Sequence, residues 1–355
     1  MKIGIPKEIK ILEGRVALIP AAAAQLVHEG HTVFVESGAG DASGYNDKDY
    51  ETAGITIVKD AATLYGESEM IVKVKEPIEP EFALLRKDHI VFSFLHLAAE
   101  PTLAKVLCDK GLTAVGFETV EHDRRLPLLA PMSDIAGRLS VQIGATLLHR
   151  PNGGRGILLG GMPSAERGNV VVLGAGAAGG NAIHVAASLG AKVTVFEHSR
   201  PNMDRAHAIG NNVTALPSYK NLIEEHVRDA DLVIGAVLIT GAKAPKLVTE
   251  EMVKQMNPGS VIIDIAVDQG GCIETTRPTN HKEPTFVKHG VIHYGVTNMP
   301  GAVPRTASQA LSAALTPYVL RLAGKDGLSD PEIQSGINVR DGELVHPAVR
   351  AALSK

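Results

Sequence analysis

The chain has 355 residues, about two domains at roughly 150 residues each, which excludes a single small binding module. It is 45% hydrophobic and 21% charged, an ordinary globular composition that excludes a disordered, collagenous or low-complexity protein. Lys and Arg (35) against Asp and Glu (39) leave a formal net charge of −4 without a dense cationic block, so neither a nucleic acid nor an anionic membrane is expected as partner.

Cys108 and Cys272 lie in no CxxC pair and build no framework, so a reducing compartment and no metal site are expected. The first residues, Met1-Lys2-Ile3-Gly4-Ile5, read as a strand and not as an apolar leader. No run reaches the about 20 apolar residues that span a bilayer, and a cytoplasmic protein is expected.

In chain order, residues 2–6 predict a strand, 21–29 a helix, and 31–35, 71–75 and 90–95 three further strands. A first α/β unit therefore fills residues 1–127. Residues 132–148 predict a long helix with Ser133 as its N-cap, followed by the glycine-rich loop Asn152-Gly153-Gly154-Arg155-Gly156. Then comes the strongest signal. The strand Val170-Val171-Val172-Leu173 leads into Gly174-Ala175-Gly176-Ala177-Ala178-Gly179, a helix over 181–189, and a strand over 193–196 that ends at Glu197.

Each part of that unit has a physical role in holding a dinucleotide. Gly174 permits the tight turn, Gly176 lets backbone approach the pyrophosphate, and Gly179 allows helix to pack on strand. The N–H groups at the helix start offer partial positive charge to phosphates. Glu197, placed to accept from the adenosine ribose, repels a 2′-phosphate and favours NAD over NADP, although Arg200 could pair with such a phosphate. The alternative is a glycine-rich strand-to-helix turn without a ligand. Further strands at 232–236 and 261–265 complete a doubly wound sheet, with Val237-Leu238 and Ala266-Val267-Asp268 at their carboxyl ends. Pro300-Gly301-Ala302-Val303-Pro304 reads as a rigid turn before a helix over 310–322. The architecture expected is α/β, with two Rossmann-like domains of doubly wound parallel sheet and the active cleft between them. The substrate domain is discontinuous, 1–127 and 301–355, around a nucleotide domain of 128–300.

Several residues carry the types of side chain that dehydrogenation needs. Arg15, in the loop Glu13-Gly14-Arg15, suits a bidentate clamp on a carboxylate, but position alone favours a solvated surface arginine. Lys75 ends the alternating Ile71-Val72-Lys73-Val74-Lys75, where Lys73 and Lys75 share a face and both can be exposed. His96 follows an apolar strand and has the side chain best suited to acid/base work; its alternative is a structural histidine. Asp268 lies at a strand's carboxyl end, with a turn role as its alternative, and Asp264, expected on the same strand face, is assigned to structure.

The chain resembles the alanine dehydrogenase and pyridine-nucleotide transhydrogenase family over nearly its whole length. The resemblance is carried by Gly4-Ile5-Pro6-Lys7-Glu8, Glu13-Gly14-Arg15-Val16-Ala17, Val74-Lys75-Glu76-Pro77, Leu95-His96-Leu97-Ala98-Ala99 and Leu129-Ala130-Pro131-Met132-Ser133, besides the glycine turn. It continues in residues 231–238, Gly241-Ala242-Lys243-Ala244-Pro245-Lys246, 264–271 and 298–304. It implies Arg15 and Lys75 as substrate-binding residues and His96 and Asp268 as catalytic ones. It implies NAD contacts at Ser133, Ala177, Ala178, Glu197, Ser218, Val237, Leu238, Arg277, Asn298 and Met299, with Ile265, Ala266, Val267, Val296 and Thr297 beside them. The implied activity is reversible oxidative deamination of L-alanine to pyruvate and ammonia by a homohexamer. A transhydrogenase-like nucleotide-binding subunit and a non-catalytic NAD sensor are the alternatives. The chain departs from the family in having Glu197 where Asp is usual, and Phe94 and Phe117 where Tyr is common, changes that bear on fine substrate preference.

Overall fold

The computed structural model describes residues 1–123, 125–237, 244–267 and 270–354. The chain divides into two units, one of Met1–Met132 with Gly301–Lys355 and the other of Ser133–Pro300.

In the first unit, short apolar runs form β1 (Lys2–Ile5), β2 (Thr32–Glu36), β3 (Thr56–Val58), β4 (Met70–Val72), β5 (Ile90–Ser93) and β6 (Thr113–Gly116). The second contributes β7 (Asn169–Leu173), β8 (Lys192–Glu197), β9 (Val213–Pro217), β10 (Leu232–Gly235), β11 (Val261–Asp264), β12 (Thr285–Lys288) and β13 (Val291–Tyr294). The chain then returns to the first unit with β14 (Ile337–Arg340) and β15 (Glu343–Leu344).

The first sheet runs β15-β14-β6-β5-β4-β1-β2-β3, parallel from β3 to β6 and antiparallel at β14 and β15. The second runs β12-β13-β11-β10-β7-β8-β9, with only β12 antiparallel. Both are doubly wound. In each the strand order reverses beside the first strand, between β1 and β4 and between β7 and β10, and ligands bind such sheets at the carboxyl ends beside that reversal. The central strands are covered by helices on both faces, which is why β4, β10 and β11 are buried at every residue instead of alternating. Separate apolar clusters anchor the two sheets, one around Leu64, Val91 and Leu107, the other around Phe196, Val233 and Ile262.

Several boundaries differ from the sequence expectation, each for a local reason. β4 stops at Val72, so the alternation through Lys75 is not strand, and Lys73 is 1% exposed instead of sharing an open face with Lys75. The helix Ala130–Leu147 begins before Ser133, which is therefore inside it and not its N-cap. Pro131 occupies the first turn, where a missing N–H removes no hydrogen bond. Likewise the helix Ala177–Ser188 begins inside the glycine turn, and Pro304 opens the helix Pro304–Ala323 instead of closing a rigid turn. β11 ends at Asp264 and a turn follows at Ile265 and Ala266, while Asp268, expected on the same strand face, lies outside the described residues.

Candidate active site

In the first unit the loops after β1, β4 and β5 gather the charged residues. Arg15 is 2% exposed, which overturns the solvated-surface reading. Its Nε donates to Glu13 Oε1 at 2.6 Å, its own backbone N–H donates to the same oxygen at 3.1 Å, and Nη1 reaches the Met132 thioether at 3.2 Å. The loop is pinned from behind by the helix Pro304–Ala323, where Ser308 and Ser312 hydroxyls accept from Val16 and Ile19 N–H at 2.9 Å each.

Lys75 is partly buried, and burial followed by the nearby Arg15 charge holds its amine below the ordinary lysine value. Its backbone is held by Glu8, whose Oε1 accepts from Val74 N at 2.6 Å and from Lys75 N at 3.3 Å. Glu8 and Glu81 flank the buried Lys73 ammonium at 3.6 and 2.9 Å. Burial works against the Lys73 charge, but the two carboxylates outweigh it and raise its pKa, while burial pushes the Glu8 carboxyl up. Lys73 is thus a structural ion that braces the segment presenting Lys75. Burial also opposes the Glu76 charge, yet the bond from Lys10, with which it pairs, and the Lys75 charge hold it below the usual range.

His96 lies just past β5, half-buried, with φ +49°. Its ring stacks on Phe94 at 5.8 Å and 5° between planes, and Phe94 meets Phe117 edge-on at 5.0 Å. The two positions that depart from the family's tyrosines therefore form one apolar wall behind His96. Glu118, just past β6, accepts from Leu95 N–H at 3.2 Å and His96 N–H at 2.6 Å. Glu8, Glu13, Lys73 and Glu118 were not among the expected site residues. Their signal in the sequence is only a carboxylate or ammonium just beyond an apolar strand.

In the second unit the turn Gly174–Gly179 has the geometry its glycines imply. Gly174 has φ +89°, a conformation that a β-carbon disfavours. A β-carbon on Gly179 would stand 1.9 Å from the Gly174 carbonyl oxygen, whereas one on Gly176 would meet no atom within 4 Å. Gly176 is the N-cap of Ala177–Ser188, whose first turn holds the exposed Ala177 and the partly buried Ala178. Glu197 ends β8; its Oε2 accepts from Ala175 N at 2.8 Å and its Oε1 from His198 and Ser199 N at 2.7 and 2.9 Å. Burial opposes its charge, but these backbone N–H groups outweigh it and hold the carboxyl below the usual glutamate value. Arg200 pairs instead with Asp204 at 2.8 Å.

The remaining expected contacts follow strand ends. Ser218 follows β9, Val237 follows β10, Ile265, Ala266 and Val267 follow β11, and Val296, Thr297, Asn298 and Met299 follow β13. Asn298 has φ +61°, and its carbonyl lies 3.3 Å from His281 Nε2. Arg277 is exposed, with its guanidinium 4.4 Å over the Phe286 ring. Ser133 and its neighbour Asp134 lie on the helix that packs on Ala177–Ser188, where Asp134 accepts from Asn181 at 2.8 Å. Asp264 is 1% exposed and accepts from Thr276 at 2.8 Å, and burial raises its pKa, in keeping with a structural role. Leu238 and Asp268 lie outside the described residues.

Two doubly wound units in one chain, one with a glycine turn between strand and helix and the other with the buried Arg15 and the partly buried Lys75 and His96 on loops after its strands, are the frame of a dehydrogenase-type oxidoreductase. Residues 4–136 match the family model for the Alanine dehydrogenase/PNT N-terminal domain, and residues 140–347 the model for the Alanine dehydrogenase/PNT C-terminal domain. The chain is 49% identical to the alanine dehydrogenase of Bacillus subtilis (strain 168), over 98% of this chain and 94% of that one. It is 50% identical to the alanine dehydrogenase of Geobacillus stearothermophilus, over 99% and 96%. A solved L-alanine dehydrogenase, 50% identical, matches with a TM-score of 0.96 over 100% of this chain and 99% of its own. A transhydrogenase from Sinorhizobium meliloti, 27% identical, matches at 0.86 over 98% and 100%. The chain belongs to the alanine dehydrogenase/PNT family. No helix among the described residues is long and apolar enough to cross a membrane.

Proposed function

We propose that the chain catalyses the reversible, NAD-dependent oxidative deamination of L-alanine to pyruvate and ammonia, as a cytoplasmic homohexamer. The observation that carries this reading is the buried Arg15 beside the partly buried Lys75 on loops at the carboxyl ends of the first sheet. They lie in a chain about half identical to alanine dehydrogenases over nearly its full length. The Arg15 charge is paired with Glu13, whereas burial and that neighbouring charge both disfavour the Lys75 ammonium, and an anionic substrate offsets this cost.

The residues present fit a dinucleotide. The open space at Gly176 takes pyrophosphate oxygens against bare backbone, the start of Ala177–Ser188 supplies N–H donors, and the Glu197 carboxylate accepts from ribose hydroxyls while repelling a 2′-phosphate. Bound there, NAD supplies the acceptor for the hydride that leaves the alanine Cα.

The chain's own groups do the rest. Arg15 holds the substrate carboxylate, for which a planar guanidinium with several N–H donors is suited. Loss of hydride leaves iminopyruvate, and His96 with Asp268 moves the proton of the water that adds to it. Lys75 stabilises the oxygen of the resulting carbinolamine and then of pyruvate as ammonia departs. Reductive amination reverses these steps. The transhydrogenase-like reading has no use for Lys75 and His96 together.

The test is NADH absorbance with a panel of amino acids, each with NAD and with NADP. Turnover with L-alanine and NAD is expected. Dinucleotide binding without turnover of any amino acid would leave a sensor, and hydride exchange between two nucleotides alone would leave a transhydrogenase.

A further inference from the structure

His96 holds a backbone conformation that a β-carbon disfavours, with φ +49°. It lies beyond the last residue of β5, where sheet pairing no longer fixes it. On its carboxyl side the chain turns at once, with Ala99 N donating to His96 O at 2.9 Å. On its amino side two successive N–H groups converge on one carboxylate. Leu95 N lies 3.2 Å from both Glu118 oxygens and His96 N lies 2.6 Å from Oε1. Adjacent backbone N–H groups with one residue in the left-handed region form a concave anion site, and here the anion is a side chain of the same unit.

Glu118 is itself held firmly. It lies in the turn after β6, where Thr119 N donates to Gly116 O at 3.1 Å. The fully buried Asn338 donates to Thr119 Oγ1 at 2.7 Å, tying that turn to β14. A β-carbon on Gly116 would come within 3.0 Å of Asn338 Nδ2 and 3.3 Å of Glu118 Oε1, so the turn has little room to shift.

We propose that Glu118 is a positioning residue for the reaction: its carboxylate fixes the Leu95–His96 backbone and so aims the His96 imidazole, without touching the substrate. The inference rests on the reading of His96 as the acid/base. Glu8 makes the same kind of contact with the Val74–Lys75 backbone, but it also pairs with the buried Lys73, so its removal disturbs the fold more widely. Glu118 isolates the effect.

The experiment compares Glu118→Gln, Glu118→Ala, His96→Ala and the double variant Glu118→Gln/His96→Ala in reductive amination with varied pyruvate. NADH fluorescence binding and a melting curve accompany each. Gln keeps the volume and one acceptor oxygen but turns an amide N–H₂ toward the backbone donors. We expect kcat to fall by about 10-fold in Glu118→Gln and about 100-fold in Glu118→Ala, the scale of a misplaced catalytic group. KM for pyruvate and NADH binding stay at the parent value, because Arg15, Lys75 and the nucleotide turn are untouched. The double variant should be no slower than His96→Ala alone, since Glu118 acts only through that imidazole. Parental kcat in Glu118→Gln overturns the proposal, as do additive losses in the double variant or a melting temperature that falls in step with kcat. Full turnover in His96→Ala would instead remove the acid/base reading itself, and that variant alone reveals it.

Discussion

Arg15 and Lys75 are both cations in little water, yet their energetics differ. Arg15 shares its guanidinium with Glu13, and neither side chain is more than 2% exposed. Removing one partner of such a pair costs about 3–5 kcal/mol, because the other charge stays buried. Arg15→Ala should therefore lower the melting temperature and also cut kcat/KM for pyruvate by about one to two decades. A variant that melts like the parent would mean that the Glu13 pair contributes no stability. Lys75 has the opposite sign. Its folded pKa lies below that of an unfolded lysine, through burial and then the Arg15 charge, so the unfolded chain binds this proton more tightly. The charged form thus costs stability below the lowered pKa, and stability rises with pH between that value and the ordinary one. Lys75→Met should melt no lower than the parent at neutral pH while pyruvate turnover collapses, a result read from paired melting and steady-state assays. A lower melting temperature would make Lys75 a structural ion like Lys73. Neither sign was legible in the sequence, where Glu13-Gly14-Arg15 looks like an exposed polar loop. The loop is tied down just after Arg15 by Ser308 and Ser312, almost three hundred positions away.

At the level of elements, chemistry clusters where strands stop. A residue or two beyond β4 and β5 the ladder runs out, and carboxylates from the loops after the flanking strands β1 and β6 accept the N–H groups of Val74, Lys75, Leu95 and His96. The glycine turn after β7 is the nucleotide unit's counterpart, and its glycines separate fold from function. Gly176→Ala should leave the melting temperature unchanged, because its β-carbon meets nothing within 4 Å, and should weaken NADH binding by obstructing the phosphates. Gly179→Ala drives a β-carbon to 1.9 Å from Gly174 O and should cost about 1–3 kcal/mol as helix and strand move apart. Equal melting losses in the two variants would contradict this division. β7 and β8 were readable because a four-residue apolar run, three spaced glycines and an acidic strand end agree. β3, β6, β9 and β12 to β15 carried no such punctuation. They run from two to five residues, and pairing with neighbours distant in sequence defines them.

For the molecule as a whole, the two sheets repeat one winding order, and each has an apolar cluster of its own. The nucleotide unit is continuous in sequence, whereas the other is completed only by β14, β15 and the helix Pro304–Ala323. A fragment of residues 128–300 is accordingly expected to fold and bind NADH, with no alanine turnover because Arg15, Lys75 and His96 are absent. Far-ultraviolet circular dichroism and NADH fluorescence check it, and an unfolded fragment would show that the nucleotide unit needs the rest of the chain.

By itself the sequence determined what short-range chemistry encodes: the alternation of strands and helices, the glycine turn, the acidic strand end at Glu197 and the residue types at Arg15, Lys75 and His96. These depend on spacings of a few residues, which a linear reading preserves. The tertiary structure decided which charges are buried and what holds them. Lys75 meets Glu8 across 67 positions and His96 meets Glu118 across 22, because parallel strands joined by crossover helices bring distant strand ends side by side. A carboxylate just past a strand looks the same in sequence whether it is solvated or clamps a neighbouring backbone, and only the neighbouring strand distinguishes them.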